Sequence, residues 1–128
     1  KSEFIVNYNP CQPFVKVEEL QKLIDLFKQS DCKSAITVQK ERNFFWDKTK
    51  NPINFKPNDR LSTTAGPWIY LATHSLVFYE KNYMLSEWEL FPNTKDNPFP
   101  LVTDWSENEL IDVDTELDFK LAKLIYNE

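Results

Sequence analysis

The chain has 128 residues, enough for one domain with its own core and too few for two. Hydrophobic residues make up 41% and aromatics 15%, which excludes disorder, and 20 acidic against 15 basic side chains leave a net charge of −5, which argues against a nucleic-acid partner. No apolar run approaches the roughly 18 residues of a membrane span and no signal-peptide pattern opens the chain, so no membrane partner is expected.

Cys11 and Cys32, with neither a disulfide framework nor a secretory signal, point to a reduced, cytoplasmic protein. His74 is the only histidine, so no Cys/His cluster has zinc spacing. The chain opens at Lys1 without a Met and enters a strand at once, which reads as a piece beginning mid-protein. Gly66 is the single glycine. A phosphate-cradling loop needs several glycines for close backbone approach, so no such loop is encoded in these residues.

In chain order, "FIVNY" (4–8) reads as a strand ended by the turn "NPCQP" (9–13), where Pro10 and Pro13 forbid continuation. Val17, Leu20, Leu23, Ile24 and Phe27 recur at helical spacing opposite Glu18, Gln21, Lys22, Asp25 and Lys28, predicting an amphipathic helix. "SAITV" (34–38) reads as a short buried strand. Strand, helix, strand is a βαβ pattern, which predicts a parallel pair and an α/β domain with a mainly parallel sheet. Ligands in such sheets sit beyond the carboxyl ends of the strands, which places the 9–13 turn at the rim of a site.

Residues 47–67 hold three prolines and little periodicity, and their length marks a functional, partner-contacting or mobile connection. The aromatics Phe44, Phe45 and Trp46 before it fit a core or dimer contact better than base stacking. "WIYLA" (68–72) returns to strand character. Residues 73–83 fit a short helix with Thr73 as N-cap and His74 at its surface. "SEWELF" alternates like a strand, "PNTKDNPFP" reads as a loop and "LVTDW" as a further strand. "ELIDV" (109–113) reads as a strand, and the final segment as a helix burying Leu117, Leu121, Leu124 and Ile125.

"IDVDTELDF" (111–119) carries four acids in seven positions. Thr115 and Asp118 have the spacing of a capping box, and acids here would also face the positive end of the helix dipole. If 110–114 is extended, Asp112 and Asp114 share a face, and two carboxylates at a strand's end suit Mg²⁺. Acid–x–acid pairs are common, and both readings can hold together.

In this order the segments resemble the acylneuraminate cytidylyltransferases, the CMP-sugar synthetases that activate sialic-acid-like sugars. "NPCQPF" is similar to that family's "QPT-S-P" or "NPTSPF" turn. "ITVQKERNFFWDKTKNPINF" resembles a subgroup with "NFFW" followed by a "PxNF" insertion, and "IDVDTELDFKLA" resembles the terminal "IDIDTxxDxxxA". The resemblance implies a partial three-layer α/β nucleotide-diphospho-sugar transferase-like fold over a single domain, 1–128, with 40–66 as an insertion at the contact of a homodimer. It implies an enzyme joining CTP to a 2-keto sugar acid, with Asp112 and Asp114 binding the cofactor Mg²⁺. Asn9, Pro10, Cys11 and Gln12 then fall at the nucleotide and sugar side, and Arg60 remains from an "R-x-Q-D" insertion motif.

The departures are specific. The family's "ARxGSKxxxxKN" phosphate-gripping signature is absent, Cys11 stands where the family has Thr, and the Gln-Asp pair after Arg60 is missing. Gly66 and Tyr70 fit an "NGAxYI" segment, with Ala65 in place of Asn. The chain alone is therefore expected not to catalyse. The alternative is a degenerate, non-catalytic module of the same fold, used for dimerisation or partner binding.

Overall fold

In the structure, a computed structural model, residues 3–62, 64, 66–87 and 98–127 are described. The elements run β1 (Phe4–Tyr8), α1 (Leu20–Gln29), β2 (Ser34–Arg42), β3 (Trp68–Glu80), α2 (Lys81–Glu87), β4 (Phe99–Thr103) and α3 (Glu116–Tyr126). Short 3₁₀ turns at Val17–Glu19 and Asn108–Leu110 lead into α1 and follow β4.

The four strands form one sheet in the order β1-β3-β2-β4. β3 is antiparallel to both β1 and β2, and only β2 and β4 pair in parallel. The domain is α/β as expected, but the sheet is mixed, not mainly parallel. The strand–helix–strand pattern gave β1 and β2 a common direction correctly, yet they are not neighbours. β3 returns from the long excursion at 43–67 beside β2 and separates them.

The buried runs of β2 and β3 face two ways, because successive strand side chains alternate. Ala35, Leu76 and Phe78 join Leu23 and Phe27 of α1, Leu101 of β4 and Trp105 in one cluster. Ile36, Val38, Val77 and Tyr79 form a second, on which Met84 of α2 packs. The sheet is thus covered by a helix on each face, which is why five consecutive residues of each strand, Ser34–Val38 and Ser75–Tyr79, are buried. The Trp105 indole donates to Glu19 (2.7 Å) and fixes the lead-in to α1.

β3 differs most from the sequence reading. Residues 73–80 continue the strand, and the helix starts only at Lys81. Val38 pairs with Ala72 and Ile36 with Val77, so four residues of β3 bulge opposite Thr37 alone. His74, at φ 55°, makes the bend. The buried Thr37 hydroxyl fills the bulge, accepting from the Leu76 amide (3.1 Å) and sharing a hydrogen bond with the Thr73 hydroxyl (2.8 Å). Thr73 therefore caps no helix.

The excursion is ordered by its own contacts. Phe44 and Trp46 meet the Phe55 ring edge-on, at 5.2 and 4.9 Å. Asn54 accepts from the Phe45 amide and donates to the Asn43 carbonyl. A Cβ at Gly66 would come within 3.3 Å of the Asn43 amide and the Arg42 side chain, so glycine permits the chain to close there.

Residues 109–113 are not a strand. Glu109 turns back on Ser106, accepting from its amide (2.7 Å) and hydroxyl (2.9 Å), and closes the 3₁₀ turn instead. "LVTDW" is a strand over Phe99–Thr103, and Phe99 and Pro100 belong to it rather than to a loop. The alternation in "SEWELF" falls largely outside the described residues; Ser86 and Glu87 end α2.

Helix α3 begins with the expected capping box: Thr115 accepts from the Asp118 amide and the Asp118 carboxylate accepts from the Thr115 amide. Its burial is not as expected. Ala122 is the buried residue, Ile125 is half-buried, and Leu117 and Leu124 are 75% and 67% exposed. The cap and the Val113–Cys11 backbone bond set how the helix enters. Among the described residues the leucine stripe, with Leu121 at 47% exposed, is left largely in solvent.

Two stability outcomes follow from these contacts. Thr115→Ala removes the N-cap acceptor and is expected to cost about 1 kcal/mol by urea unfolding; an unchanged midpoint would deny the box any role. Burial pushes the Glu109 carboxyl up, but the Ser106 amide, Lys16 ammonium (3.0 Å) and Ser106 hydroxyl outweigh it and hold the group below its ordinary range. A lowered folded pKa contributes stability above the unfolded value and loses it as pH falls through the folded one. Glu109→Gln is therefore expected to cost about 1.5–3 kcal/mol at neutral pH, with the gap to wild type closing below the ordinary carboxyl range of about 4.3. A pH-independent gap in melting temperature would contradict this.

Candidate functional site

Two segments 100 residues apart meet at the carboxyl end of β1. The first is the turn after that strand. Pro10 stops the strand, and the Asn9 side chain accepts from the Cys11 amide (3.0 Å) while the Asn9 amide donates to the Ser75 carbonyl (2.9 Å). The second is the extended stretch before α3. It is not laddered into the sheet; one bond, from the Val113 amide to the Cys11 carbonyl (2.8 Å), fastens it to the turn.

Gln12 stitches the parts together. Its side chain is 3% exposed. The amide nitrogen donates to the Thr73 carbonyl (2.9 Å) and, at longer range, to Asp112 Oδ2 (3.4 Å). The amide oxygen accepts from the buried Ser75 hydroxyl, which also meets the Thr73 hydroxyl (3.0 Å). The Tyr8 hydroxyl donates to the Gln12 carbonyl (2.5 Å). The side chains of Gln12, Thr73 and Ser75 in this row are all paired, as a low-dielectric interior requires.

One ligand atom from each of Cys11, Asp112 and Asp114 lies within 4.8 Å of the others. Asp112 is half-buried, and its Oδ1 is shielded from solvent without a hydrogen-bond partner. The neighbouring acids have other tasks. The Thr115 hydroxyl and amide hold the Asp118 carboxyl below the usual carboxylate range, and Glu116 pairs with Lys120 one turn on (2.8 Å). Asp112 and Asp114 take no part in the cap's acceptor set, so the acidic run divides between two tasks.

Beside them opens a cavity of about 550 Å³, lined by Gln12, Gln39, Lys40, Thr73, His74 and Asp112 among others. Gln39 Oε1 is a second buried acceptor without a partner. The cavity's lining thus includes both residues that carry these oxygens, together with the charged Lys40 and Glu41. A larger cavity, about 650 Å³, lies around Phe4, Lys28, Lys33 and Glu80, where Lys33 and Glu80 are ion-paired at 2.5 Å. It lacks the unpartnered acceptors of the first.

Of the residues expected from sequence, Asn9, Pro10, Cys11, Gln12, Asp112 and Asp114 are brought together. Arg60 is not; it lines a separate cavity with Phe44, Asn54, Phe55 and Asp59. His74 is exposed as expected, but at the strand bulge rather than at a helix start. Thr37, Gln39, Thr73 and Ser75 were not foreseen as site residues. The one available signal was polar Thr37 between the apolar Ile36 and Val38.

No family model matches the chain, and no curated protein matches it. Among solved structures it is similar to the crystal structure of 4-diphosphocytidyl-2C-methyl-D-erythritol synthase from Anaerococcus prevotii DSM 20548. The TM-score is 0.63 at 18% identity, over 99% of this chain and 60% of that one. The chain therefore spans about three fifths of that structure's length. A likeness at this identity is one of fold: this chain shares the α/β fold of part of that structure.

Proposed function

We propose that this chain supplies the metal- and sugar-facing part of a cytidylyltransferase that converts CTP and a sialic-acid-like 2-keto sugar acid to the CMP-sugar. The observation that carries this reading is the meeting of the "NPCQ" turn with Asp112 and Asp114 beside a cavity that Gln12 and Asp112 line. The fold likeness to a synthase whose name specifies a diphosphocytidyl product supports it.

Mg²⁺ fits the two carboxylates taken without the Cys11 thiol: both are hard oxygen donors, and one has a buried and unpaired oxygen. When bound, the ion would neutralise phosphate charge and orient the reactants. The chain's own residues position and bind. Gln12 orients the Asp112 carboxylate, and Asn9 and Pro10 shape the turn. Arg60 would serve an anionic group from the 40–66 insertion, the segment that would meet the second subunit of a homodimer in the cytoplasm.

Turnover needs a phosphate-gripping segment as well, because positioning and charge stabilisation supply most of phosphoryl-transfer catalysis. One glycine cannot build it. A second reading, a non-catalytic module for dimerisation or partner binding, is favoured by apolar side chains left in solvent. Trp68, Tyr70 and Leu71 are about half exposed, and the α3 leucines add to them.

The two readings part in one titration. Isotope-labelled chain with CMP-sialic acid is expected to show amide shifts at Gln12, Thr73 and Asp112 that require Mg²⁺, weakened at least roughly tenfold in Asp112→Asn. Shifts that ignore Mg²⁺ and survive Asp112→Asn with Asp114→Asn would overturn the metal assignment. A dimer that binds neither CTP nor the CMP-sugar would favour the non-catalytic module.

A further inference from the structure

We propose that Cys11 is a third ligand of the Asp112–Asp114 site, so that this site takes a thiophilic divalent cation, of the zinc or cobalt kind, in preference to Mg²⁺. The proposal rests on the carboxylate site described above and adds a donor to it.

The geometry supplies three donors from two fixed segments. The Cys11 backbone is held on both sides, its amide by Asn9 Oδ1 at 3.0 Å and its carbonyl by the Val113 amide at 2.8 Å. The second bond places the thiol opposite the residues on either side of Val113, which are Asp112 and Asp114. All three ligand atoms lie within 4.8 Å. At metal bonds of about 2.3 Å to sulfur and 2.0–2.2 Å to oxygen, ligands across one ion stand up to about 4.5 Å apart. The grouping is thus within a few tenths of an ångström of the spacing an ion needs. The contact from Gln12 to Asp112 Oδ2 leaves Oδ1 buried and unpartnered, an acceptor already desolvated.

Donor chemistry decides the ion. Mg²⁺ demands oxygen ligands in octahedral array and gains little from sulfur, whereas zinc and cobalt accept thiolate and carboxylate together. Three protein ligands also leave a fourth position open, the arrangement that admits water or a substrate oxygen. Binding exchanges the thiol proton for the metal. The S–H bond breaks, an S–metal bond forms, one proton passes to buffer, and no electron is transferred.

Cobalt(II) is the probe, since a thiolate ligand gives a near-ultraviolet sulfur-to-metal charge-transfer band. Titration of the full chain under reducing conditions is expected to give this band at one ion per chain, with release of one proton. Cys11→Ser should abolish it and weaken cobalt binding at least roughly tenfold while leaving Mg²⁺ affinity unchanged. Cys32→Ser, whose thiol instead donates to the Ser30 carbonyl, should keep the band. Far-ultraviolet circular dichroism checks that each variant folds. A band that survives Cys11→Ser, its absence from wild type, or displacement of cobalt by equimolar Mg²⁺ overturns the proposal. If Cys11→Ser changes nothing while Asp112→Asn with Asp114→Asn abolishes Mg²⁺ binding, the sulfur ligand fails and the carboxylate site stands. If the double variant keeps its Mg²⁺ affinity, the carboxylate site itself fails.

Discussion

The Gln12 side chain is the bond on which the site depends. Buried and surrounded by Thr73, Ser75 and Asp112, it joins the 9–13 turn, β3 and the stretch before α3 through one side chain. A polar group at this depth costs free energy unless all its atoms are paired, so the arrangement of its partners is tightly set. The bulge in β3 brings the Thr73 carbonyl and the Ser75 hydroxyl to it, and Thr37 fills the bulge from the neighbouring strand. The position of Asp112 follows from a hydrogen-bonded row that begins inside the sheet.

Within the same short acidic stretch, two carboxylates are taken up by contacts of the last helix and two are not. Asp118 is taken up by the helix cap and Glu116 by a surface ion pair. Asp112 and Asp114 keep their acceptors turned toward the 9–12 turn. The core clusters need neither of them, so site substitutions can be read apart from unfolding.

The surface is equally informative. Leu117 and Leu124 on α3, and Trp68 and Tyr70 on β3, are large apolar groups in solvent. The Trp68 ring is lined by Lys40 and Arg42 at 4.5 and 4.2 Å, which gives that patch a charged border. Contiguous apolar groups with a polar rim are the pattern of contact surfaces. The chain also spans only three fifths of the structure it resembles.

β1, α1, β4 and the capping box could be read from sequence because each rests on local chemistry: alternation, helical spacing, a proline stop, or a side chain three residues from its partner. The "NPCQ" turn and the acidic pair were legible too, as residue types suited to turns and cations. Tertiary structure decided the rest. It set β3 between β1 and β2, carried that strand through a bulge where propensity suggested a helix, and left the α3 leucines uncovered. It also placed Cys11 against Asp112 and Asp114 and moved Arg60 to another cavity. These depend on contacts between residues far apart in the chain, whose energy is settled by burial and hydrogen-bond pairing; no local pattern of residues encodes where the chain will cross itself.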